Sequence, residues 1–131
     1  MSKKVVLIGS LDTKGIEYAF VRDILHQSGV ETLTINTGVL NAPYFTPDIT
    51  SDEVAAAGGA TLSSLQNEQD RGKAVSTMTK GVAVIVSKLI EENVVGALFG
   101  MGGTAGTTVC ASAMQAAPIG IPKLLVSTVA S

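Results

Sequence analysis

The chain has 131 residues, enough for one compact core and too few for two, and 46% of them are hydrophobic, as a sheet covered on both faces requires. A formal net charge of -2, 4% aromatic residues and no Trp exclude a basic nucleic-acid face and a stacking platform for single strands. The single cysteine, Cys110, excludes an internal disulfide, and no apolar run reaches the length of a signal-peptide core or a membrane span, so a cytoplasmic protein is expected.

Residues 4–9, KVVLIG, form a continuous apolar run of strand length. In the segment that follows, Ile16, Ala19, Phe20, Ile24 and Leu25 recur at the three-and-four spacing of one helix face, and Gly29 sits where such a helix stops. Residues 30–36, VETLTIN, read as a second strand, and residues 38–49, with Pro43 and Pro47, as a long loop. Thr50 or Ser51 caps a short helix through Ala57, with Asp52 and Glu53 in its first turn.

A long helix is predicted from about Arg71 to Glu92 on the stripe Val75, Met78, Val82, Ile85 and Leu89, widened by Val86 and Ile90. Gly81 within it costs about 1 kcal/mol relative to Ala. Residues 94–100 read as a third strand, 105–117 as a helix and 122–128 as a fourth strand. Strands alternating with helices predict a single α/β domain over residues 1–131: an open, doubly wound, mostly parallel, Rossmann-like sheet with helices on both faces. Its ligands belong at the carboxyl ends of the strands, here Gly9-Ser10, Asn36-Thr37, Gly100-Met101 and Ser127-Thr128. The chain stops on the strand-like run KLLVSTVAS, so more chain is expected beyond it, and the isolated chain is expected to self-associate, most simply as a twofold dimer.

GALFGMGGTAGTTVC, residues 96–110, begins like a buried strand and ends like a helix, and its glycines lie at the junction. Backbone amides at such a junction bind phosphate, but a tight turn with close helix packing has the same composition. The spacing is neither the dinucleotide fingerprint nor a P-loop. A second strand-to-helix turn, GSLDTKG, carries Asp12, Thr13 and Lys14, and Arg71 and Lys73 open the long helix. Cations oppose the positive end of a helix dipole, so these either reach into water or face an anion held between them. Asp12 has two readings, a helix N-cap or a holder of Mg²⁺ through water. His26 reads as a solvated surface residue, and Cys110, Met78 and Met114 as core. No catalytic constellation and no metal site stand out, and whether the chain is part of an enzyme stays open.

Taken together, GSLDTKGIEYAFVRD, QDRGKAVSTMTKG, GMGGTAGTT and PIGIPKLLVSTVAS resemble, from Val5 to Ser131, the amino-terminal half of an uncharacterised family of two-domain proteins. That half is similar to the ATP-binding domain of the tomato mosaic virus resistance protein. The resemblance implies ATP contacts at Asp12, Thr13 and Lys14, at Thr37, at Arg71 and Gly72, and at Gly102, Gly103, Thr104 and Ala105. It also implies a carboxyl-terminal domain of the same protein as partner. Two departures stand out: Asn36 replaces an acid, and GGTAGT replaces the family's commoner Gly-Gly-Ser-Gly-Gly-Thr. The function expected is nucleotide binding, with ATP, alone or with Mg²⁺, as the cofactor. The alternatives are the first half of an enzyme acting on a dinucleotide or phosphorylated metabolite, and a ligand-free interaction module.

Overall fold

The computed structural model describes residues 3–127, with Thr104 in its backbone alone. The apolar run at the start is the inner strand β1 (Lys4–Gly9), which sends Val6 and Ile8 to one face of the sheet and Leu7 to the other. It is followed by α1 (Gly15–Gln27), β2 (Thr32–Asn36), α2 (Ser51–Ala57), α3 (Leu62–Glu68), α4 (Arg71–Glu91), β3 (Val95–Gly102), α5 (Thr104–Gln115) and β4 (Lys123–Ser127). The four strands are all parallel in the order β2-β1-β3-β4. The chain moves outward from β1 to β2 and returns to β3 on the other side, so the order reverses between β1 and β3.

α1 covers one face, where Leu7, Leu11 and Tyr18 are buried with Phe99 and Met101 packed against them. α2, α4 and α5 cover the other, over Val6, Ile8, Ile35 and Leu98, with Cys110 of α5 buried among them. Thr50 caps α2 through a capping box with Glu53, and Asp70 caps α4 by accepting from the Lys73 amide. The α4 stripe lies inward as its periodicity predicts, with Met78, Val82, Val86 and Leu89 buried. Met114 and Cys110 are core residues, and His26 is exposed.

Three local expectations need correction. The apolar stripe predicted for α1 is not its buried face: Ile16 and Phe20 are each 66% exposed and Ile24 is 45% exposed. Tyr18 and Gly15 are the buried residues instead, with Val21 and Leu25 partly buried beside them. Ile16 and Phe20 lie two positions from Tyr18, about 200° around the helix, and so point away from the sheet. α3 was not expected, because seven residues with Leu62 and Leu65 make too short a stripe; its start is marked by Thr61, whose hydroxyl accepts from the Ser64 amide. Lastly, β3 runs to Gly102, past the expected end at residue 100, because Met101 and Gly102 pair with Val126 and Ser127 of β4. Thr128, expected in β4, lies outside the described residues. Among the described residues, no helix is long and apolar enough to cross a membrane.

Candidate functional site

At the carboxyl ends of the strands, where the order reverses, a cavity of about 710 Å³ opens between four segments. These are the turn after β1, the loop after β2, the junction of α3 with α4, and the turn from β3 into α5. Asp12, Thr13, Lys14, Thr37, Arg71, Gly102, Gly103 and Ala105 all line it. Gly72 is exposed beside Arg71 and is not in the lining, and Thr104 opens α5 with its side chain outside the described residues.

Three helices begin at this cavity. α1 starts after Lys14 and α5 after Gly103, and neither has a side-chain cap, so their first-turn amides remain for a ligand or water. α4 is capped by Asp70, whose carboxylate is thereby engaged. Among the described residues, Lys14 and Arg71 make no ion pair, whereas Lys73 is held by Glu68 at 2.6 Å and does not line the cavity. Two uncapped helix starts and the cations Lys14 and Arg71 therefore meet at this cavity, where the lining carboxylates of Asp12 and Asp70 are bonded to backbone amides.

Asp12 is not the helix N-cap that is one of its two readings; it fastens a loop. Its Oδ2 accepts from the amides of Leu40 and Asn41, at 3.1 and 3.2 Å, and fastens the loop after β2. Its Oδ1 is buried without a hydrogen-bond partner. It is not the N-cap of α1, which is Lys14. Among the described residues no group of three or more His, Cys, Asp or Glu is arranged to hold a metal ion.

Asn36 is similarly occupied. Its Oδ1 accepts from the amides of Leu11 at 3.1 Å and Gly38 at 2.9 Å, joining the turn after β1 to the loop after β2, and the residue does not line the cavity. A carboxylate oxygen at this position would accept the same two bonds. Thr37 is buried, and its amide donates to the Gly9 carbonyl at 2.9 Å.

Sequence reasoning missed the apolar wall. Val39, Leu65, Val75, Met78 and Val109 also line the cavity, and Gln66, from the unforeseen α3, donates to the Val39 carbonyl at 2.9 Å. Val75 and Met78 were legible as a core stripe, but that their end of the stripe borders a cavity depends on where α3 ends. Gln69 closes α3 in the left-handed conformation, φ 51, and lines the cavity beside Asp70.

The chain is similar to a UPF0261 protein of Clostridium tetani (strain Massachusetts / E88), 42% identical over 131 residues, which are 100% of this chain and 32% of that protein. It is 33% identical over 129 residues to a UPF0261 protein of Mesorhizobium japonicum, covering 98% of this chain and 32% of the relative. It is also 30% identical over 147 residues to the ToMV susceptible protein tm-1(GCR26) of Solanum lycopersicum, covering 99% of this chain and 19% of that protein. The chain thus spans about a third of the length of these bacterial relatives. Residues 3–131 match the Uncharacterised protein family (UPF0261) N-terminal domain, and the chain belongs to that family.

Proposed function

We propose that the cavity binds ATP or a closely related nucleotide. The phosphates lie on the amides that open α1 and α5, Lys14 and Arg71 meet their charge, and Thr37 lies near the sugar. The observation that carries this reading is the convergence of two uncapped helix starts and two cations without an ion-pair partner, among the described residues, on one cavity. The apolar wall of Leu65, Val75 and Met78 offers a surface for a flat base. Mg²⁺ arrives with the phosphates in this reading, because Asp12 is already engaged by the loop. Residues 1–131 then act as one nucleotide-binding domain of a two-domain protein, a reading supported by relatives about three times as long.

An NAD site asks for an acid at the end of the second strand, and Asn36 has its side-chain oxygen engaged by the Leu11 and Gly38 amides and does not line the cavity, so a dinucleotide enzyme ranks second. Calorimetry and thermal shift with ATP, NAD and a sugar phosphate at millimolar concentration, each with Mg²⁺, test this. ATP is expected to bind and to raise the melting temperature, since a ligand at about 100 times its Kd adds about 2.7 kcal/mol. Tighter binding of NAD reverses the order. No heat and no shift from any of them, on a folded chain, overturns the proposal and favours an interaction module.

A further inference from the structure

Tyr18 reaches from α1 to the root of the cavity without lining it. Its ring is fully buried and stands edge-on to Phe99, with centroids 6.2 Å apart and planes at 81°. The ring tip enters the fork where β1 and β3 part. Their last shared rung is Ile8 with Gly100; past it β1 leaves for the Ser10–Lys14 turn while β3 continues beside β4, so β1 offers no partner to Met101.

The Tyr18 hydroxyl supplies that partner. It accepts from the Met101 amide at 2.8 Å, lies 3.1 Å from the Met101 carbonyl, and donates to the Ile8 carbonyl. A hydroxyl has one proton and two lone pairs, so one group ties both strand ends at the point where they separate. Cys110 Sγ donates to the same Ile8 carbonyl at 3.2 Å. The fork is open to the ring because residue 9 is glycine: a Cβ there would stand 2.2 Å from Tyr18 Cζ and Oη. A phenyl ring alone would fill the volume equally well. What the hydroxyl adds is the tie, two residues before Ser10 on one side and two before Gly103 on the other.

We infer that the Tyr18 hydroxyl is a positioning group that sets the spacing of the two turns flanking the cavity, and through it the site's affinity for a phosphate-bearing ligand. The affinity half of this rests on the nucleotide reading above; the tie between the turns does not. The test is Tyr18→Phe, with Phe99→Leu as a control that loses core packing but keeps the hydroxyl. Amide hydrogen exchange without ligand is expected to rise roughly tenfold or more in residues 10–14 and 101–106 together, with α4 unchanged, in Tyr18→Phe and not in Phe99→Leu. ATP affinity is expected to fall roughly tenfold in Tyr18→Phe and to hold in Phe99→Leu. If Tyr18→Phe does not fold, Gly9→Ala, which keeps the hydroxyl and displaces the ring tip, is expected to give the same exchange pattern. Unchanged exchange in both turns of a folded variant overturns the inference, as does an equal loss of ATP affinity in both variants. A wild-type chain that binds no ATP removes the nucleotide reading instead, and the exchange data still decide whether Tyr18 ties the turns.

Discussion

Replacing Gly81 by alanine separates helix propensity from helix packing. In an isolated helix the change gains about 0.8–1 kcal/mol. In this fold α2 crosses α4 at that residue, and a Cβ on Gly81 would stand 2.0 Å from the Val54 carbonyl oxygen, 2.9 Å from its carbon and 3.1 Å from its Cγ1. Ordinary carbon-to-oxygen contacts begin near about 3.3 Å, so the two helices must part by about an ångström. Val54, Ala55 and Val82 around the crossing are fully buried and have no solvent side to move into. Overpacking of this kind costs about 1–3 kcal/mol, which cancels or exceeds the propensity gain, and a net loss of up to about 2 kcal/mol is expected. For a chain of this size that lowers Tm by up to about 8 °C. Gly72→Ala is the matched control on the same helix: its nearest atom is Asp70 Oδ1 at 3.5 Å, so the propensity gain survives and stability rises by up to about 1 kcal/mol. Thermal and urea unfolding followed by circular dichroism read both. A Gly81→Ala chain stabilised as much as Gly72→Ala would refute the close approach of α2 and α4.

Arg71→Ala is expected to weaken ATP binding by about tenfold or more, the loss of a charged hydrogen bond, with an unchanged fold; equal affinity measured by calorimetry would remove Arg71 from the site. Burial raises the Cys110 thiol from 9.0 to about 11 and lifts the Tyr18 phenol above its usual range. The unfolded thiol therefore loses its proton first, so its contribution is complete below about pH 9 and is lost as the pH rises to about 11. The slope is at most about 1.4 kcal/mol per unit. Urea midpoints from pH 8 to 11 should fall in the wild type and less steeply in Cys110→Ala; parallel slopes would assign the alkaline loss elsewhere. Ile16 and Phe20 on the outside of α1, and Leu124 and Val126 of β4, 57% and 51% exposed, are expected to drive self-association. Light scattering over a concentration series reads this, and a chain monomeric to high micromolar concentration contradicts it.

The architecture was legible because its elements differ in length and period: KVVLIG is a short run rich in β-branched residues, of strand and not helix length, and the α4 stripe keeps helical spacing over 21 residues. Composition also located the turns, since glycine and small polar residues collect where strands end. Facing was harder to read. In α1 the most apolar stripe points outward, because the helix meets the sheet through the buried Tyr18, with Val21 and Leu25 beside it, and the tyrosine hydroxyl makes three backbone contacts that periodicity does not weigh. In the candidate site, Lys14 and Arg71 were readable as anomalies against the helix dipole, whereas the duties of Asp12 and Asn36 were not. Each of the two accepts from at least one amide distant in the chain, Leu11 for Asn36 and Leu40 and Asn41 for Asp12, and which segment arrives is decided by the tertiary fold. The cost assigned to Gly81 shows the same limit, for its reason is a carbonyl on another helix.

The loop after β2 is long, yet it is not a lid. Asp12 holds the amides of Leu40 and Asn41, the Tyr44 amide donates to the Leu11 carbonyl, Gln66 holds the Val39 carbonyl, and Asp48 accepts from the Thr34 amide. Ordering a free backbone costs about 1–2 kcal/mol per residue, and here folding has already met that cost before any ligand arrives. This wall of the cavity is preorganised: binding does not wait for it to close, and a ligand keeps the interaction energy that a mobile flap would have consumed. The corollary is selectivity by shape, since a wall fastened at both ends and along its length admits molecules that fit it and yields little to those that do not.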